Sequence, residues 1–196
     1  MVDLVRHVPT SVILEGVLRD APPDGVTLAW LIGSLEERSF GIVILVIALV
    51  GLLPGASTFV GLLLAAPAIQ MLLGRPQPVL PGRIARRRLS TQRTSRLLGR
   101  VLPTLRRLER LVRPRWATPF GATKRIVGAV ILLLGATMAA PIPFGHVIPA
   151  LTIALIAFAF LEKDGLLLTV ALSLAGLSLA ITGAAVWGTV AAGRAL

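Results

Sequence analysis

The residues able to do chemistry in this 196-residue chain are few, and they sit in unusual places. Cysteine and tyrosine are absent, and histidine occurs only at His7 and His146. That removes cysteine nucleophiles, disulfides and thiolate metal sites. No HExxH, GxSxG, P-loop or supported GxGxxG pattern occurs, and the apolar tracts offer too few His and carboxylate partners for a metal centre. No catalytic residue, metal or cofactor is expected. What remains are polar or backbone-breaking groups inside apolar sequence, where each is costly and points to function by default. His146 is the sharpest, in Pro143-Phe144-Gly145-His146-Val147-Ile148-Pro149 just after Pro141. An imidazole beside broken backbone would bind a phosphate or carry a proton; equally, it would cap freed turn carbonyls or lie among lipid headgroups. Pro54 and Gly55, followed by Ser57 and Thr58, form a matching break, and the two hydroxyls have the same capping role open to them. Gln70 lies one arm later, where an amide more often hydrogen-bonds a neighbouring helix.

Any site made of these groups must be positioned by membrane elements. The chain is 55% hydrophobic and only 15% charged, with mean hydropathy +0.85. An ordinary soluble domain has about 25% charged residues, and a disordered chain would be far less apolar. Residues 42–74 and 165–193 contain no Asp, Glu, Lys, Arg or His, and 126–161 contain only His146. The first and second apolar tracts are long for one crossing of about 20 residues and short for two. Each is broken near its middle by prolines and glycine, which remove backbone donors and make turns. The expected elements are helical hairpins over 40–53 with 57–74 and over 125–140 with 147–161, either re-entrant or tilted across the bilayer. One crossing helix follows over 165–190, possible also as a crossing with a short tail after Gly183. A shift of 89 residues lays Pro54 on Pro143, Ser57 on His146 and Arg75 on Asp164. Repeats of broken helices are a recurring transporter design, with the site where the breaks meet.

The charge is concentrated between the two tracts. Residues 75–125 hold 15 of the 20 Lys and Arg and one acid, Glu109. Such a connection belongs on the cytoplasmic side, and it accounts for the +11 net charge without nucleic acid. Leu97, Leu98, Val101, Leu102, Leu105, Leu108, Leu111 and Val112 recur at helical spacing, with arginines on the other face. Pro103 is expected to divide this run into helices 91–102 and 104–113. The candidate cations for anionic lipid, or for a protein partner, are Arg86, Arg87, Arg88, Arg93, Arg96, Arg100, Arg106, Arg107, Arg110, Arg113 and Arg115. Glu36, Arg38, Glu109 and Asp164 are candidate salt-bridge partners, although Glu162-Lys163-Asp164-Gly165 reads equally as an ordinary exposed turn. Residues 1–39 are amphipathic, with one helix from Thr10 or Ser11 to Arg19 and another from Val26 to Arg38. The expected fold is an all-α integral membrane protein in five parts: 1–39, hairpin 40–74, basic segment 75–125, hairpin 126–161 and helix 165–190.

Several stretches, taken in order, carry a resemblance: Glu36 to Gly41; Gln70-Met71-Leu72-Leu73-Gly74-Arg75 leading to Leu80-Pro81; Leu108-Glu109-Arg110-Leu111-Val112-Arg113-Pro114-Arg115; Pro141-Ile142-Pro143 through Pro149-Ala150; and Asp164-Gly165-Leu166-Leu167. From about residue 10 to 185 the chain resembles the bacterial exopolysaccharide-synthesis proteins of the ExoD type. The resemblance implies an inner-membrane protein needed for exopolysaccharide production, and it implies no reaction; the apolar tracts make it multi-pass, and the basic segment makes membrane lipids or polysaccharide-assembly proteins the expected partners. Two positions depart from the family pattern. Val79 stands where the family usually has Trp, and His146 where it usually has Asn. A position shared by Asn and His favours hydrogen bonding over proton transfer. Two functions follow: handling or translocation of an anionic lipid or lipid-linked carrier, or a scaffold that docks partners through the basic segment.

Overall fold

Arg38–Val50 contains no proline and no charge after its first residue, so nothing competes with helix formation once a partner covers it. The computed structural model describes residues 10–19, 26–35, 38–53, 55–86, 88–89, 103, 106, 120–139 and 146–195. Among these residues the elements are α1 (Thr10–Arg19), β1 (Val26–Thr27), α2 (Leu28–Leu35), α3 (Arg38–Val50), α4 (Ser57–Leu72), α5 (Gly82–Ala85), β2 (Arg88–Leu89), α6 (Phe120–Ala139), α7 (Val147–Glu162) and α8 (Gly165–Ala195). Apart from connections such as 73–81, the described chain is helical save for one two-residue antiparallel ladder, which pairs Val26 with Leu89 and Thr27 with Arg88.

The long helices interleave. α3 packs on α7 and α4 on α6, so each first arm lies against the second arm of the other pair, while α8 lies along α7 and α6. Phe40, Ile44, Leu64, Met71, Ile131 and Ile153 anchor the shared core. The arms are apolar all round, so hydrophobicity alone does not choose the packed face. Small residues choose it, because they let backbones approach closely. A Cβ on Gly41 would stand 3.0 Å from Ala157 O and 3.2 Å from Leu161 N. A Cβ on Gly128 would stand 2.8 Å from Ala68 O and 3.0 Å from Leu72 N. Ala157 and Leu161 are Ala68 and Leu72 moved on by the 89-residue shift, so the two contacts correspond.

The same shift relates the ends of the second arms. Gly74 and Lys163 both have positive φ, at 72° and 52°. Arg75 N donates to Gln70 O at 3.1 Å, and Asp164 N donates to Ala159 O at 3.1 Å. Each helix therefore ends in a left-handed cap with the same long closing bond. The first arms match at 87 residues, Gly41 with Gly128, and not at 89. The two-residue difference lies in the first arms: α3 runs nine residues past Gly41 and α6 eleven past Gly128.

Several boundaries differ from the sequence expectation. Val26 to Arg38 is not one helix: Val26 and Thr27 are in the ladder, Thr27 Oγ1 accepts from Trp30 N at 3.2 Å to start α2, and Arg38 opens α3. α6 begins at Phe120, inside the segment read as loop, and α8 runs through Gly183 without a break. Pro103 and Arg106 are helical, and the rest of 91–102 and 104–113, where Pro103 is expected to divide two helices, lies outside the described residues.

Candidate functional site

Gly55 has φ 82°, a conformation that costs glycine little and other residues more, and it turns the chain from α3 into α4. The second break is represented by His146 at the start of α7; Pro54, Pro141 and Pro143 lie outside the described residues. The two breaks are at the same end of the bundle. A Cβ on Gly51 would meet Met138 Cε at 2.8 Å and Val60 Cγ1 at 2.9 Å, and one on Gly61 would meet Ala139 N at 2.9 Å. The turn after α3 thus lies against the last turn of α6, immediately before the second break. α3 and α7 run antiparallel from the Gly41–Leu161 contact, which brings residue 51 level with the start of α7.

Both second arms start without a side-chain cap. Ala56 and His146 occupy the N-cap positions in helical conformation, and neither α4 nor α7 has a side-chain hydrogen bond there. Ser57 is half-buried and Thr58 exposed, and their hydroxyls do not close the first turn of α4. The half-buried His146 contributes its backbone carbonyl, which accepts from Ala150 N at 3.0 Å. Pro149 is buried, at the first turn of α7, where a missing N–H is harmless. Among the described residues no side chain caps either helix start, and the amino-terminal ends of α4 and α7, where dipole and donors favour an anion or water, lie at one end of the bundle.

The opposite end carries the charge. Arg38, Lys124, Glu162 and Asp164 are all buried there. Lys124, only 3% exposed, donates from Nζ to Pro76 O at 3.3 Å, and the ammonium stands 4.7 Å from the centre of the Phe40 ring. Asp164 is an N-cap: its Oδ1 accepts from Leu166 N at 2.9 Å and from Leu167 N at 3.2 Å, which starts α8 directly after α7 ends. Glu162, Asp164 and Gly165 are buried, so Glu162-Lys163-Asp164-Gly165 is the junction of two helices and not an exposed turn.

Gln70 does not reach to another helix. Its amide clamps the chain after α4, accepting from Val79 N at 2.6 Å and donating from Nε2 to Val79 O at 3.1 Å. Gln70→Ala is expected to release residues 73–81 at a cost of about 1–2 kcal/mol, seen as faster hydrogen exchange at Val79 with α4 itself still protected.

Of the basic candidates, Arg86 is exposed, Arg88 has its backbone in β2, and Arg106 forms an ion pair with Glu15 of α1. Arg87, Arg93, Arg96, Arg100, Arg107, Arg110, Arg113 and Arg115, with Glu36 and Glu109, lie outside the described residues. The ladder and the Glu15 pair both tie the amino-terminal region to the basic segment. Sequence reasoning missed Lys124 and Glu162 as interior groups; their only hint was position, at the charged borders of apolar tracts.

Three comparisons bear on these features. The family model for exopolysaccharide synthesis proteins of the ExoD type matches residues 10–184. An uncharacterized protein of Synechocystis sp., slr1875, is 31% identical over 148 residues, covering 72% of this chain and 70% of that protein. The protein ExoD of Rhizobium meliloti is 27% identical over 163 residues, covering 79% of this chain and 68% of that protein. No solved structure matches.

Proposed function

The chain belongs to the ExoD family of exopolysaccharide-synthesis proteins, and from that membership we propose that it is a multi-pass protein of the bacterial inner membrane that handles an anionic lipid or lipid-linked carrier. The membrane part of this reading is supported by where the apolar surface lies. α8 contains a stretch, Gly165–Gly188, long and apolar enough to cross a bilayer. Val46, Leu49, Phe59, Leu62, Leu133 and Ile148 project outward from the four arms. A water-soluble chain rarely exposes so continuous an apolar surface, whereas hydrocarbon is its natural solvent. The basic segment then sets the cytoplasmic side.

The observation that carries the lipid-handling part is the juxtaposition of the two broken turns, with two uncapped helix starts and the half-buried His146 at one end of the bundle. Donors of this kind hold phosphate in soluble proteins, and discontinuous helices hold anionic substrates in membrane transporters. A scaffold role is the second reading. It is favoured by the Glu15–Arg106 pair, in which an arginine of the basic segment engages a carboxylate of the amino-terminal helix.

Mass spectrometry of lipids retained by the gently purified protein separates the two. The expected result is a stoichiometric phosphate-bearing lipid, kept by His146→Asn and lost from His146→Leu, with exopolysaccharide output falling in the second variant only. A lipid-free preparation, with full output from a folded His146→Leu protein, would leave the scaffold.

A further inference from the structure

The two halves of the bundle end alike in backbone and differently in charge. Gly41 corresponds to Gly128, so Arg38 at the start of α3 corresponds to Arg125 in α6. At the ends of the second arms Leu73 corresponds to Glu162, Gly74 to Lys163 and Arg75 to Asp164. Gly41 packs on Ala157 and Leu161, which puts Arg38, nearly one turn earlier, level with the end of α7. Arg38 and the carboxylates of Glu162 and Asp164 are all buried in that layer, so positive charge there is answered within the protein.

At the end of α4 those carboxylates have no counterpart. Leu73 stands in place of Glu162, and a second arginine, Arg75, in place of Asp164. The guanidinium of Arg125 lies along Gly74: a Cβ there would stand 3.5 Å from its Nη2 and 3.6 Å from its Nε. Arg75 and Arg125 are both exposed, and among the described residues neither forms an ion pair. Two cations meeting at one helix end repel, and an anion held by both removes that cost. The neighbouring surface is apolar. Ile69 and Leu73 on α4 and Ile126 on α6 are exposed, Leu73 by 66%. Their counterparts Phe158, Glu162 and Ser39 are buried, and Leu35 of α2 packs beside Phe158. The face that α2 covers in one half is therefore open in the other.

A guanidinium pair matches a phosphate, and open apolar surface beside it matches an acyl chain. The basic segment puts this end of the bundle at the cytoplasmic surface, where anionic lipids present both groups together. We propose that Arg75 and Arg125, with Ile69, Leu73 and Ile126, seat one anionic phospholipid of the cytoplasmic leaflet, whose phosphate takes the place of the carboxylates that close the other half. The seat rests on the membrane reading above, and it is separate from the lipid handled at the turns, which lie at the other end of the bundle.

The chain has no cysteine, so a single introduced cysteine carries a fluorophore cleanly. The test places full-length Ile69→Cys protein in phosphatidylcholine nanodiscs and measures quenching by spin-labelled phosphatidylglycerol or spin-labelled phosphatidylcholine. Val170→Cys, exposed on α8 at the same depth below the charged end, reports the general attraction of the basic segment for anionic lipid. An arginine near anionic headgroups is worth about fivefold. Phosphatidylglycerol is therefore expected to be preferred at position 69 by at least about fivefold over the preference at 170. Arg75→Gln with Arg125→Gln lowers the preference at 69 to that at 170. Leu73→Glu supplies the carboxylate found in the other half and has the same effect with both arginines in place, and melting temperatures show which variants are folded. A preference at 69 equal to that at 170, or one that survives in either folded variant, overturns the seat and leaves the membrane reading standing. Absence of quenching by both lipids at both positions overturns the membrane reading and the seat with it.

Discussion

Gly61→Leu abolishes the packed α4–α6 contact and with it accumulation of the folded protein; Gly61→Ala lowers stability by about 1–3 kcal/mol. A Cβ on Gly61 would stand 2.4 Å from Gly135 O and 2.9 Å from Ala139 N. Both neighbours are backbone, so no side-chain rotation makes room and the two helices must separate. Separation uncovers Leu64, Ile131 and Leu134, which are fully buried in the shared core. Gly176→Leu is the control: nothing lies within 4 Å of a Cβ on Gly176, and its melting temperature is expected to match the parent's. Thermal unfolding in detergent reads both. A Gly61→Ala protein that melts with the parent would mean that α4 and α6 are not in backbone contact.

How much of this was readable beforehand follows from what each feature depends on. The four arms were legible because charge is absent from long tracts and proline interrupts them, and those are local properties. Lys124 and Arg125 resemble the end of a loop, so the sequence understates α6; the stem of Lys124 is nevertheless buried, with its ammonium held by Pro76 and Phe40. The interleaving of the pairs was not legible. It depends on which small residue meets which backbone, and Gly41, Gly61, Gly128 and Gly135 look like any other glycines until their partners are known. Matching prolines suggest a repeat, yet a uniform shift of 89 hides the two extra residues that α6 runs past Gly128. Asp164 shows a different limit. A carboxylate after a positive-φ residue and before Gly-Leu-Leu reads as a turn or an ion pair, while its use as a helix cap needs the following helix to start at once. At the candidate site the residue types were legible and their convergence was not, because proximity of residues 51–61 to 135–139 is a property of the packing.

Lys124→Glu is expected to be the most damaging single change at the charged end, and Lys124→Met a milder one. The ammonium holds three elements together: it sits on α6, donates to the carbonyl of Pro76 beyond α4, and faces the ring of Phe40 on α3. Methionine keeps much of the apolar stem and forfeits the hydrogen bond and the cation–ring attraction, for a loss of about 1–3 kcal/mol. Glutamate puts an acceptor against an acceptor and negative charge over the negative face of a ring, in a site 3% exposed. It must protonate or pull the elements apart, which costs several kcal/mol beyond the methionine variant. The pH dependence separates these routes. A carboxyl forced neutral by burial favours the folded state below its raised pKa and loses that benefit above it. The Lys124→Glu protein should therefore recover part of its melting temperature on acidification, whereas the Lys124→Met protein should not share that gain. Equal stability of the Lys124→Glu and parent proteins at neutral pH would place Lys124 in water, and the charged end would then no longer be a packed layer.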